Sequence, residues 1–173
     1  MQQRKFNKDL ATSKSAKYIP FWDRHYLKMF PNKSYRIYAD LADDKEGKDC
    51  FVDELAIQEK LRLERDYGDV ALEYKHVYDT GKVTQGWTYK LGKIDWIAYG
   101  IVPSDKVIWL EAESLAKAWA KNVSAWITIF FNPVSRSRTS NRSWRTHNVA
   151  VSTEVLIEAG VKMIITEFGG KDE

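Results

Sequence analysis

Asp49, Gln58 and Lys60 bring a carboxylate, an amide oxygen and an ammonium group into one short stretch, Gly47-Lys48-Asp49-Cys50-Phe51-Val52-Asp53-Glu54-Leu55-Ala56-Ile57-Gln58-Glu59-Lys60-Leu61-Arg62. If Asp53-Glu54 forms a two-residue hairpin turn, Val52 faces Leu55, and counting back places Asp49 opposite Gln58. Directly opposed side chains share a face, with Cβ atoms about 4.5–5.5 Å apart. Lys60 lies two residues beyond Gln58, on the same face and roughly 7 Å along the strand. Oxygen donors at Asp49 and Gln58 suit a hard cation, Mg²⁺ or Mn²⁺, and such a cation can activate water and stabilise charge on a phosphoryl oxygen. An ammonium beside it can orient that water or neutralise the developing charge, which is the role expected of Lys60. The ordinary alternative is a turn aspartate, a solvated strand glutamine and a surface lysine.

A rival pattern exists in Glu73-Tyr74-Lys75, with Asp66 or Asp69 as its upstream acid. The stretch from Asp66 to Asp69 reads more as a connection than as a strand. Asp23, on the first predicted helix, is a further acid that could join either site.

Charge is unevenly spread in this chain of 173 residues and net charge +3. Residues 1–37 hold nine Lys/Arg against only Asp9 and Asp23, whereas residues 40–80 hold thirteen acids against six bases. From Ser135 to Arg145 come Arg136, Arg138, Arg142 and Arg145 with no acid. Carboxylates for a cation between bases for phosphates is the layout of an enzyme acting on a polyanion. Arg62 and those four arginines are the candidate nucleic-acid contacts, with Trp144 able to stack on a base or sugar. A solvated loop is the plain alternative for the arginine-rich segment.

Composition narrows the field. Hydrophobic residues make up 44% and charged residues 29%, and no stretch approaches the roughly 18 apolar residues of a spanning helix. Cys50 is the single cysteine, which excludes an intramolecular disulfide and starves a Cys-based zinc site. The polar, basic N-terminus lacks the apolar core of a secretory signal, so a reducing cytoplasm and no membrane are the expectation. Gly-rich phosphate loops, GxSxG, HExxH and CxxC are all missing, which disfavours a nucleotide motor, an ordinary serine hydrolase and a zinc enzyme.

The elements that must position these residues follow from periodicity. A helix is expected over Pro20–Phe30 and strands over Ser34–Ala39, Asp49–Val52 and Leu55–Leu61, with a polar loop at 40–48. A hairpin through Asp79-Thr80-Gly81 would join Val70–Tyr78 to Lys82–Lys90. Ile94–Val102 is ambiguous between helix and strand. Lys106–Leu110 reads as a strand, Glu113–Lys121 as a short helix, and Ser124–Phe131, being β-branched and aromatic, as a strand. After a basic loop, Ser152 or Thr153 caps a helix that Gly160 ends, and Val161–Phe168 closes the chain as a strand. Trp22, Trp87, Trp96, Trp109, Trp119 and Trp126 are the expected core aromatics. The class is α/β: a central mixed β-sheet flanked by helices, one domain over 1–173, comprising a basic arm (1–18), a core (20–121) and a C-terminal part (122–173).

Asp49 followed by Gln58-Glu59-Lys60 resembles the D…QxK variant of the PD-(D/E)xK nuclease superfamily, and is similar to Mrr-type restriction endonucleases. The wider segment through Asp66-Tyr67-Gly68-Asp69 and Asp95-Trp96-Ile97-Ala98-Tyr99 is similar to small proteins of phages and mobile elements with that fold. The resemblance spans roughly residues 10–120. It implies a restriction-endonuclease-like fold, a Mg²⁺- or Mn²⁺-dependent nuclease with DNA as the expected polymer, and Asp49, Gln58 and Lys60 as site residues. It leaves open a homodimer, a nucleic-acid-binding protein without hydrolysis, and a structural protein of a mobile element.

Overall fold

The computed structural model describes residues 16–33, 36–38, 46–139 and 142–168. Most of the expected basic arm, residues 40–45 of the expected polar loop, and Ser140 and Asn141 of the basic segment lie outside the described residues. After a 3-10 turn at Ala16–Tyr18 comes helix α1 (Ile19–Met29), with Pro20 in its first turn, where the missing N–H costs nothing. Strands β1 (Arg36–Tyr38), β2 (Cys50–Val52) and β3 (Leu55–Arg62) follow, then β4 (Asp69–Tyr78) and β5 (Val83–Gln85). Two 3-10 turns lead to β6 (Trp96–Ile101) and β7 (Lys106–Glu111). Helix α2 (Ala112–Ile129), strands β8 (Val134–Arg138) and β9 (Ser143–Ser152), helix α3 (Thr153–Glu158) and strand β10 (Met163–Glu167) complete the order.

The class is α/β, as expected, but the strands divide between two sheets. Six form a mixed sheet in the order β1-β2-β3-β6-β7-β10, in which β3 and β6 are parallel and the other neighbours antiparallel. Four form an antiparallel sheet in the order β5-β4-β9-β8. The single central sheet expected from the sequence is therefore corrected. Period-2 patterning says which residues share a strand face, but not which strands become neighbours.

Each face of the large sheet has its own core. Phe21, Trp22 and Tyr26 of α1 pack with Cys50, Val52, Ile57, Ala98, Val107 and Trp109 on one face. On the other, Ile97, Tyr99, Ile108 and Leu110 join Val70, Leu72, Val149 and Val151 of the small sheet and Leu115, Trp119 and Trp126 of α2. Of the six expected core tryptophans five are buried, and Trp96 is half-buried.

Three further expectations are corrected. Ser124–Phe131 is not a strand: α2 continues to Ile129, across the boundary drawn between residues 121 and 122. Leu115, Ala118, Trp119 and Trp126 form one buried helical stripe, and burying it outweighs the β preference of Ile127, Thr128 and Ile129, none of which is buried. The basic segment is not a loop but the β8–β9 hairpin, with Ser137 buried beside the exposed Arg136 and Arg138. That alternation is a strand's signature. Strand β5 stops at Gln85, short of the Lys90 expected, because Trp87–Tyr89 turns as a 3-10 helix.

His25, fully buried on α1, ties that helix to the far edge of the sheet. Its Nδ1 lies 2.7 Å from Thr166 Oγ1 and its Nε2 3.1 Å from Asp105 Oδ1, while Trp109 Nε1 donates to the same Thr166 oxygen at 3.0 Å. A hydroxyl, an imidazole and a carboxylate in line resemble a nucleophilic triad, but Thr166 is 2% exposed and no substrate carbonyl could reach it. The network is a structural tie. Burial holds the His25 pKa below its usual 6.5, and the Arg24 and Lys28 charges add to this against the opposing pull of Asp105. A depressed histidine pKa contributes stability that is present above the unfolded value and is lost as pH falls toward the folded one. The urea midpoint of the parent should therefore drop as pH is lowered from about 7.5 to about 5, and less so in His25→Gln. Parallel pH profiles for the two proteins would remove His25 from that role.

Candidate functional site

The β2–β3 hairpin closes in the register expected at its turn. Val52 pairs with Leu55, Phe51 with Ala56 and Cys50 with Ile57, where the ladder ends, and the Asp49 N–H bonds Ile57 O at 2.9 Å, one residue out of that register. The expected pairing of Asp49 with Gln58 is therefore not formed in the ladder, and Asp49 instead lies beside β3 at Ile57 and Glu59. The Asp49 carboxylate accepts the Glu59 backbone N–H at 2.8 Å, closing the hairpin where the ladder runs out.

Gln58 is only 5% exposed, and its Oε1 is buried without a hydrogen-bond partner. A buried acceptor left unpaired costs roughly 1–3 kcal/mol. Gly47 is pressed against the same amide: a Cβ there would lie 2.9 Å from Gln58 Nε2, and its φ of 88° favours glycine as well. Lys60, half-buried, points to the same side of the sheet, with its Nζ 5.8 Å from the centre of the Trp87 ring. The side is the one facing the small sheet, since Gln58 and Lys60 pair with Ile97 and Tyr99 of that core.

Strand alternation sends Glu59, the middle residue of the motif, to the α1 face. There it is 4% exposed, accepting a hydrogen bond from Tyr26 Oη at 2.9 Å, with Cys50 Sγ at 3.6 Å. Its burial was invisible in the sequence, because nothing local says that Tyr26 arrives there.

Arg62 is turned inward, its side chain 9% exposed. Its Nη2 meets Asp69 at 2.5 Å, and the guanidinium lies 5.3 Å from the Tyr99 ring and 5.6 Å from that of Tyr67. Burial works against its charge but is outweighed by Tyr99 and Asp69, so its pKa is raised. A phosphate contact from Arg62 would require this pair to open.

The rival pattern does not assemble. Strand β4 is irregular between Glu73 and Lys75, and Glu73 turns inward. Both hydrogen bonds to its carboxylate fall on Oε1, from His76 Nε2 at 3.0 Å and Trp87 N–H at 3.2 Å. Burial opposes its ionisation, yet His76, the charge of Lys60 and the Trp87 amide together hold its pKa below the ordinary glutamate value. The two upstream acids are engaged elsewhere, Asp66 with Lys106 and Asp69 with Arg62. Asp23 sits on the exposed side of α1.

Among the described residues no three His, Cys, Asp or Glu side chains stand close enough to hold a metal ion by themselves. A cation at this site would therefore draw on the Gln58 amide oxygen beside Asp49, with water completing its shell as Mg²⁺ commonly requires. No family model, curated protein or solved structure matches the chain.

The arginines of the β8–β9 hairpin form a second surface. Arg136 and Arg145 are directly opposed and, like Arg138 and Arg142, exposed. Like charges facing across strands destabilise unless an anion lies between them. Neither strand carries an acid. Nearby His147 has its pKa lowered, by partial burial first and then by the charges of Lys75, Arg145 and His76. No helix among the described residues is long and apolar enough to cross a membrane.

The orphan oxygen makes a direct prediction. Gln58→Met keeps length and volume while removing the unpaired acceptor, so without added metal it should leave stability unchanged or raise it by up to about 2 kcal/mol in urea unfolding. A clear loss of stability would mean that the amide is hydrogen-bonded in solution.

Proposed function

We propose that this chain is a Mg²⁺- or Mn²⁺-dependent nuclease acting on DNA, a restriction-endonuclease-like α/β protein of the D…QxK kind. The observation that carries the reading is the buried, unpartnered Gln58 Oε1, next along β3 to the Glu59 amide that Asp49 holds and one strand repeat from Lys60. Oxygen-only donors of this kind suit a hard cation, which when bound supplies charge stabilisation at the scissile phosphate and a more acidic water. Asp49 and Gln58 would hold it. Lys60 would pair with a phosphoryl oxygen or orient the attacking water. The arginines of β8–β9 would position the polymer through its phosphates. A reducing cytoplasm suits the lone, buried Cys50, and pairing of two copies would present one site to each strand of a duplex.

Two observations favour a second reading, a DNA-binding protein without hydrolysis: Gln58 is neutral where a carboxylate would bind Mg²⁺ more tightly, and among the described residues no cluster of three His, Cys, Asp or Glu supports it. Cleavage abolished by EDTA separates the two. Asp49→Asn keeps an acceptor for the Glu59 amide while removing the charge. It should reduce cleavage about 100-fold or more, the scale expected when a group central to the chemistry is lost, with a melting temperature within a few degrees of the parent. Equal cleavage by variant and parent would end the Asp49 assignment.

The basic hairpin is tested separately. Each phosphate neutralised on a duplex adds about 0.9 to the slope of log K against log salt, so replacing Arg136 and Arg138 by Ala should flatten it by about 1 to 2 units. Affinity should fall similarly for unrelated sequences. An unchanged slope would take the hairpin off the nucleic-acid path and leave room for a protein partner instead.

A further inference from the structure

Lysine has a long, flexible stem, and ordering it costs up to about 2 kcal/mol of rotamer entropy. A lysine that must meet one phosphoryl oxygen therefore needs something to hold it. In this fold the groups beside Lys60 come from the small sheet and the turn after β5, not from the strand that carries the motif. Its ammonium lies over the Trp87 ring at 5.8 Å and within the field of the buried Glu73 carboxylate.

Glu73 is also the hub that fixes Trp87. Its Oε1 accepts the Trp87 backbone N–H at 3.2 Å, and its carbonyl accepts Thr88 Oγ1 at 2.6 Å. Gly86 N–H reaches Tyr74 O at 3.0 Å, and a Cβ at Gly86 would stand 2.2 Å from Glu73 O, so the approach admits glycine alone. The irregularity of β4 between Glu73 and Lys75 allows Glu73 and His76 to meet at 3.0 Å, and His76 Nδ1 continues to the fully buried Thr146 at 3.0 Å. The result is a buried carboxylate, braced by a histidine, that sets both an aromatic platform and a negative field beside Lys60. A cation over an indole face is stabilised further as water is excluded.

We propose that Glu73 is a positioning residue for Lys60, acting through its charge and through Trp87, so that the site is shared between the two sheets. This rests on the nuclease reading of Lys60.

The test compares the parent, Glu73→Gln, Glu73→Asp and Trp87→Phe in the full chain. Three quantities are measured: single-turnover cleavage of duplex DNA with Mn²⁺, DNA affinity, and the labelling rate of Lys60 by an amine-reactive reagent mapped by mass spectrometry. Glu73→Gln should slow cleavage between about 10- and 100-fold, the scale of a misplaced catalytic group, with DNA affinity within about two-fold. Lys60 labelling should rise several-fold relative to the exposed Lys93 and Lys117, and Glu73→Asp should recover part of both effects. If Glu73→Gln does not fold, Trp87→Phe, which keeps a ring but a weaker one for cations, should show the same changes at smaller size. Unchanged labelling and rate in a folded Glu73→Gln, or in Trp87→Phe if that variant alone folds, would overturn the proposal and leave the nuclease reading intact. If the parent itself does not cleave DNA, the nuclease reading fails, and Lys60 labelling alone decides the link to Glu73.

Discussion

Two unequal forces set the register of the β2–β3 hairpin, and the site depends on which of them wins. Asp53-Glu54 is a poor tight-turn pair, and Asp53 takes a φ of 51°, which costs a residue with a Cβ roughly 1–2 kcal/mol. Against that, Cys50, Val52 and Ile57 are buried together under α1, each large apolar side chain contributing about 1.5–3 kcal/mol. A slip of one residue would turn that set away from α1 and send Gln58 and Lys60 to the α1 face. Burial therefore dictates the register, and the carboxylate of Asp49 seals it by taking the Glu59 amide.

The same alternation that buries Ile57 forces Gln58 and Lys60 toward the small sheet, and the chemistry of the seam follows. Charges there are costly unless paired. The structure meets that cost at Glu73 with His76 and the Trp87 amide, and at Arg62 with Asp69 and Tyr99. The Gln58 oxygen has no such arrangement, and Arg62 Nη1 is likewise buried without a hydrogen-bond partner. A buried unpaired polar atom calls for an explanation, and a bound ion is one.

Helix α1 reaches the site indirectly. Its His25 is tied to Thr166 and Asp105, and its Tyr26 to Glu59. One helix thus clamps the sheet from the strand bearing the motif to its far edge. Loss of that clamp would be felt at Glu59, whose neighbours on β3 are Gln58 and Lys60.

The sequence by itself determined the local elements and the pairing within them. Helix α1, the β2–β3 hairpin from Cys50 to Ile57, the Ser152 cap of α3 and the last strand are all written in short-range periodicity and cap chemistry. It also marked the arginines at 136, 138, 142 and 145, although their serine–arginine alternation was a strand and not a loop. Only the tertiary structure decided that the strands split into two sheets, that α2 runs through Ser124–Ile129, and that Arg62 is buried against Asp69. It alone brought Glu73 to Lys60. These outcomes rest on contacts between residues distant in the chain or on which face a neighbouring element covers, and a local pattern carries neither. Propensity at Ile127 and Ile129 favours a strand by tenths of a kcal/mol, whereas burial of Trp119 and Trp126 on one helical stripe is worth several times more.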